Sequence, residues 1–166
     1  DVKEKWNALI KQTIAAIRVH APMTHIVVGG VLYNHVQRVK DLDMPYDERI
    51  VYTFHCYEPL IFTHQKAYWV EGMTPDTHIS YPDSLTVYRE QSEVLDDVKK
   101  AAINYPKLTG IDASLYDILF ADAIATAEAR NVPLYCGEYG VIDQAPLDGT
   151  VKWFEDVNSV FEKHKI

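Results

Sequence analysis

Apolar residues along this chain fall into two rhythms. Trp6, Leu9, Ile10, Ile14 and Ile17 recur at three- and four-residue intervals, and Pro22 follows. That spacing predicts an amphipathic helix that stops before the proline. Thr24 to Gly30, with Ile26, Val27 and Val28 in a row, reads as a short strand buried on both faces. A helical turn is expected over His35 to Leu42. Ile50 to His55 reads as a second strand, with Val51, Thr53 and His55 facing one way and Tyr52 and Phe54 the other. A long aromatic-rich connection with Pro59, Pro75 and Pro82 runs from Tyr57 to about Tyr88. Connections of this length often form lids or walls of functional clefts.

Val94, Leu95, Val98, Ala101 and Ala102 then make one helical stripe. A further helix is expected from Ser114, with Asp117 as capping-box partner, through Ile118, Leu119 and Ile124 to Arg130. Asn131 and Pro133 end it and launch a third strand, Leu134 to Gly137. Val151, Phe154, Val157 and Phe161 mark the last helix. Strands alternating with helices predict an α/β fold with parallel strands and right-handed crossovers, in one domain over residues 1–166.

The 166 residues are 48% hydrophobic, enough for a core that buries roughly 70% of the unfolded surface. Sixteen basic against twenty-four acidic residues give a net charge of -8, and no basic stripe is present. Nucleic acid is therefore not an expected partner. No apolar run approaches the ~20 residues of a membrane-spanning helix. The first residue is Asp rather than Met, which suggests a processed or excised chain. Cys56 and Cys136 are expected to be free thiols, since Cys56 faces away from His55 and Tyr57. Neither cysteine has metal-ligand spacing, and no metal or cofactor is expected.

Chemistry concentrates at strand ends. In Pro133-Leu134-Tyr135-Cys136-Gly137-Glu138-Tyr139-Gly140, a carboxylate stands between two glycines at the carboxyl end of an apolar run, expected to be a buried strand. Alternation places Leu134, Cys136 and Glu138 on one face. Enzymes with parallel strands keep their reacting groups at such ends. His55 and Tyr57 close the second strand on one side, where they can donate hydrogen bonds to Glu138 and keep it ionised. Glu58 points away and is a poor second carboxylate. Trp69, His64 and Gln65 on the long connection combine an aromatic face with polar groups, as sugar binding requires. Tyr33 and Asn34, after the first strand, are further candidates for that surface. Trp6, Phe62 and Trp153 are expected to pack.

These residues carry a resemblance. Tyr52-Thr53-Phe54-His55-Cys56-Tyr57-Glu58-Pro59, then Phe62-Thr63-His64-Gln65, Ala67 and Trp69, then Gly137-Glu138-Tyr139-Gly140 resemble glycoside hydrolase family five. Many cellulases and related β-glucanases belong to it. The Trp6-Asn7 helix and the Ile26-Val27-Val28-Gly29-Gly30 strand are similar to its middle section.

The resemblance implies part of a (β/α)8 TIM barrel, about strands five to seven with flanking helices. It implies Glu138 as nucleophile, with Tyr57 contacting it and His55 lining the cleft. It also implies secretion and a β-glucan polysaccharide or oligosaccharide as partner. The family's acid/base glutamate lies in an Asn-Glu-Pro-like segment, which does not occur here. The isolated chain is therefore expected to be inactive. Its apolar face is expected to be covered by the remaining barrel half or by self-association. The leading activity is retaining hydrolysis of β-1,4-glucan. Alternatives are a xyloglucan, mixed-linkage glucan or mannan hydrolase, or a non-catalytic carbohydrate-binding module on Trp69, His55 and Tyr57. A flavodoxin-like protein is disfavoured, because Gly29-Gly30 lacks phosphate-loop spacing.

Overall fold

A computed structural model describes all 166 residues. The elements in chain order are α1 (Val2–His20), β1 (Ile26–Gly29), the short turn α2 (Val31–Asn34), a 3-10 turn (Val36–Asp41) and β2 (Ile50–Cys56). Then come α3 (Leu60–Thr63), α4 (Leu85–Gln91), 3-10 turns at Ser92–Val94 and Ala101–Asn104, α5 (Ala113–Arg130), β3 (Leu134–Tyr139) and α6 (Leu147–His164). The chain forms two compact units. The first comprises Asp1–Cys56, Phe120–Glu138 and Ile166; the second comprises Tyr57–Leu119 and Tyr139–Lys165.

The first unit is organised on a three-stranded sheet of order β1-β2-β3. β1 and β2 are parallel, with Val27 opposite Val51 and Gly29 opposite Thr53. Tyr52 N donates to Pro133 O at 2.9 Å, which joins the entry of β3 to β2. Tyr52, Phe54 and Cys56 are buried on one face of β2, and the Phe54 ring meets Phe120 at 5.0 Å. β1 departs from expectation. Val28 is buried but Val27 is 54% exposed, so only one face of this strand is covered. Val27 lies on the face of Val51 and His55, which are themselves partly exposed. Tyr135 of β3 is likewise 53% exposed.

α1 ends one residue before Ala21, and Arg18 clasps its exit. The guanidinium bonds both oxygens of Asp47 at 2.6 and 3.0 Å, and also the carbonyls of Ala21 and Thr24. The apolar stripe on α1 is only half covered: Ile14 is buried, while Leu9 is exposed. Arg130, at the end of α5, donates to the carbonyls of Leu42 and Asp43 and to the Tyr52 hydroxyl. These bonds hold the approach to β2 in place.

The second unit has its core in Tyr88, Ile103, Leu115, Tyr116, Trp153 and Val157. Leu115 and Leu119 of α5 belong to this unit and Ala123 and Ala127 to the first; all four are buried, at four-residue intervals along the helix. The start of α5 differs from the expected capping box. Asp112 Oδ1 accepts from Ser114 N at 2.8 Å, so Asp112 takes the capping role and Ser114 lies inside the helix. Asp117 instead pairs with Lys163 and His164 of α6 at 2.9 and 3.0 Å. Burial pushes its carboxyl pKa up, but the hydrogen bonds from Lys163 and His164 outweigh that and hold it below the usual range.

The helix expected over Val94–Ala102 does not form. Asp96 Oδ1 accepts from Val98 N and Lys99 N, at 3.0 and 2.9 Å. This local bonding competes with helix propagation and leaves two short 3-10 turns.

Candidate active site

In the first unit, β2 and β3 bring His55 and Glu138 together. His55 Nδ1 lies 3.3 Å from Glu138 Oε2, ion-pair distance when the imidazole is protonated. The carboxylate is 57% exposed, so it sits on an open surface rather than at the end of a fully buried strand. That is a correction to the buried β3 expected from the apolar run. The Cys136 thiol donates to the Glu138 carbonyl at 3.3 Å and braces the backbone there.

Gly137 allows this approach. A Cβ on it would come 2.9 Å from Thr53 Oγ1 and 3.7 Å from the His55 ring. Gly137 and Glu138 thus both bear on the same imidazole. The simple two-face alternation inferred from sequence does not hold at this end of β3. Thr53, which sequence reasoning passed over, is nine-tenths buried, and its hydroxyl has no hydrogen-bond partner.

After β1 the backbone turns sharply. Leu32, Tyr33 and Asn34 have φ of 55, 57 and 59°, three consecutive left-handed residues without a glycine. Such conformations cost free energy and persist only where the surroundings enforce them. Asn34 supplies part of that enforcement, since its Oδ1 accepts from Gly30 N at 2.9 Å. Its carbonyl oxygen is thus engaged within the turn. Tyr33 is 94% exposed.

A cavity of about 490 Å³ in the same unit is lined mainly by apolar side chains, including Ile10, Ile14, Val28, Leu42 and Ile50. It holds neither Glu138 nor His55.

In the second unit, Tyr57 packs edge-on against His64, with ring centroids 5.1 Å apart and an interplanar angle of 82°. The Thr63 hydroxyl donates to Tyr57 O and also contacts His64 Nδ1 at 3.0 Å. Burial lowers the His64 pKa, and the Glu58 charge opposes that only in part. Glu58 is buried and its Oε2 accepts from Tyr57 N at 3.0 Å. Its carbonyl accepts from Trp153 Nε1 at 2.9 Å and from the Tyr116 hydroxyl at 3.1 Å.

Trp69 is 60% exposed and meets Tyr68 edge-on at 4.9 Å, leaving aromatic surface open to a ligand. Gln65 must be withdrawn from the binding set. It is fully buried; its Nε2 donates to Phe62 O and Ile79 O, and its Oε1 accepts from Ile79 N at 3.1 Å. Its amide satisfies backbone groups of the long connection and has no surface to offer a sugar. Phe62 and Trp153 are buried, as packing residues should be, whereas Trp6 is partly exposed and donates to Gly29 O at 2.8 Å.

Comparison with known proteins places these features. The family described as cellulase (glycosyl hydrolase family 5) matches residues 1–165. Cellodextrinase A of Ruminococcus flavefaciens is 39% identical over 98% of the chain, which covers 41% of that protein. Endoglucanase C of Acetivibrio thermocellus is 34% identical over 98% of the chain and 47% of its own length. A hyperthermophilic endo-β-1,4-glucanase, solved in complex with substrate, superposes with a TM-score of 0.73 at 25% identity. That match covers 98% of this chain and 44% of the glucanase. The chain thus spans somewhat under half the length of the relatives it matches, and its sheet and helices are part of a (β/α)8 barrel. With a carboxylate and an imidazole in contact at the ends of neighbouring strands, and the match running from the first residue to the last but one, this chain belongs to the cellulase family, glycoside hydrolase family 5.

Proposed function

We propose that the protein hydrolyses β-1,4-glucan linkages with retention, Glu138 acting as nucleophile. The carrying observation is the 3.3 Å contact between Glu138 and His55. Glu138 Oε attacks the anomeric carbon as the glycosidic bond breaks, giving a glycosyl-enzyme ester and a leaving alcohol protonated by a second carboxylic acid. That acid, then a carboxylate, takes a proton from water, and the resulting attack releases the sugar and regenerates Glu138. In a retaining site the two carboxyl groups stand ~5–5.5 Å apart.

His55 orients the nucleophile, Tyr57 assists it, and Trp69, His64 and Tyr33 bind sugar. The second carboxyl comes from the rest of the barrel, so these 166 residues alone turn over little substrate. The same remaining half covers the exposed Val27 and Tyr135. Secretion is proposed along with the substrate, because polymeric glucan is met outside the cell.

The test is a chimera in which this chain replaces the matching segment of the Ruminococcus cellodextrinase. A fluorinated cellobioside that traps the glycosyl ester should label Glu138, as read by peptide mass spectrometry. Glu138→Gln should lower kcat at least about a thousandfold. Labelling elsewhere, or turnover that survives the substitution, refutes the assignment. Equally good hydrolysis of xyloglucan or mannan would favour another β-glycanase, and binding without turnover would favour a carbohydrate-binding module.

A further inference from the structure

The Thr63 hydroxyl has one proton and two neighbours. Tyr57 O is a carbonyl and only accepts, so the proton is spent there. The 3.0 Å contact with His64 must then run the other way, with Nδ1–H donating to Thr63 Oγ1. We infer that Thr63 locks His64 in its Nδ1–H form and so makes Nε2 a bare acceptor for a hydroxyl proton of a glucan ring. The sugar part of this inference rests on the glucanase reading above; the proton assignment does not.

Several features support the lock. Thr63 is buried, so water does not compete for its hydroxyl. Nε2 makes no hydrogen bond within the chain, and His64 is half-buried rather than enclosed. Burial lowers the His64 pKa against the raising influence of Glu58, which keeps the ring neutral at neutral pH. The edge-on contact with Tyr57 fixes the ring plane and hence the direction of the Nε2 lone pair. A histidine's proton position follows the bond made by its other nitrogen. A sugar hydroxyl can donate or accept, and a fixed acceptor selects the donating orientation. This turns His64 from a generic polar group into one that reads hydroxyl direction.

Long-range 1H–15N spectra of the uniformly 15N-labelled chain test the inference, with His64→Gln and Trp69→Phe identifying the two signals. The expected result is Nδ1–H in the wild type, retained in Thr63→Ser and lost to an Nε2–H mixture in Thr63→Val. Nε2–H in the wild type overturns the lock, whatever the variants do. Added cellobiose should move the Nε2 resonance, and Thr63→Val should bind it five- to tenfold more weakly, about the value of one neutral hydrogen bond. An unmoved Nε2 overturns the sugar contact. If the Trp69 indole signal still moves, only the His64 role has failed; silence at both removes the glucan-binding reading as well.

Discussion

Gly137→Ala is a direct test of how β2 and β3 bring His55 to Glu138. The new Cβ would stand 2.9 Å from Thr53 Oγ1, about half an ångström inside ordinary contact. Overpacking of this kind costs about 1–3 kcal/mol. Alanine also restricts the unfolded chain, which returns about 0.4–1 kcal/mol, because Gly137 has no left-handed φ to forbid it. The clash wins, and the net loss should be about 1–2 kcal/mol.

Thr53→Ala changes this balance. It discards a buried hydroxyl that has no partner, a relief of about 1–3 kcal/mol, and a methyl worth about 0.8 kcal/mol. That variant alone should therefore be neutral or slightly stabilising. In its background Gly137→Ala meets no oxygen, and its cost should fall to zero or below. Urea unfolding of the four proteins, followed by tryptophan fluorescence, closes the cycle. The expected coupling is about 1–3 kcal/mol, which moves midpoints by roughly 0.5–1.5 M at an m-value near 2 kcal/mol/M. If Gly137→Ala costs the same in both backgrounds to within about 0.5 kcal/mol, the close approach does not explain the glycine.

Other expectations are simpler. Gly72 has φ +93°, and a Cβ there would lie 2.0 Å from Val94 O. Gly72→Ala should cost about 3 kcal/mol or more, seen as a fall of roughly 6–12 °C in the thermal midpoint. Arg130→Ala strips three donor contacts, to Leu42 O, Asp43 O and the Tyr52 hydroxyl, and should cost about 2–3 kcal/mol in urea unfolding. Arg130→Lys should recover less than half of that loss, because an ammonium cannot reproduce the planar fork. His64 has a depressed pKa in the fold, so below about pH 6.5 the unfolded chain binds more protons. Stability should fall as the pH drops through that window, with a slope no steeper than about 1.4 kcal/mol per pH unit for this group. His64→Gln should flatten the slope in unfolding series between about pH 7.5 and 5; an unchanged slope would remove His64 as a cause.

The main elements are legible in the sequence where one rhythm dominates. α1, β2, α5 and α6 lie within a few residues of their apolar patterns, and the Glu138–His55 contact follows from two strand ends. What escapes is decided by side chains that take over backbone work. Asp96 binds its own neighbours' N–H groups, so the helical spacing from Val94 to Ala102 yields only tight turns. Gln65 looks like a sugar ligand by type, yet its amide is consumed by Ile79 and Phe62. Asp112, one residue outside the helix it caps, replaces the Ser114 box because hydroxyl and carboxylate caps read alike in sequence. Val27 escapes for another reason: a β-branched run shows strand preference but does not say whether both faces are covered.

The carbonyl of Glu58 collects two donors from distant parts of the chain, Tyr116 and Trp153. The peptide plane between Glu58 and Pro59 is therefore tuned from afar: an edit at either aromatic loosens the plane that leads into α3. Substitutions at 116 and 153 should behave epistatically, the second doing more harm than the first, because the buried acceptor keeps one of these two donors after a single change and neither after both.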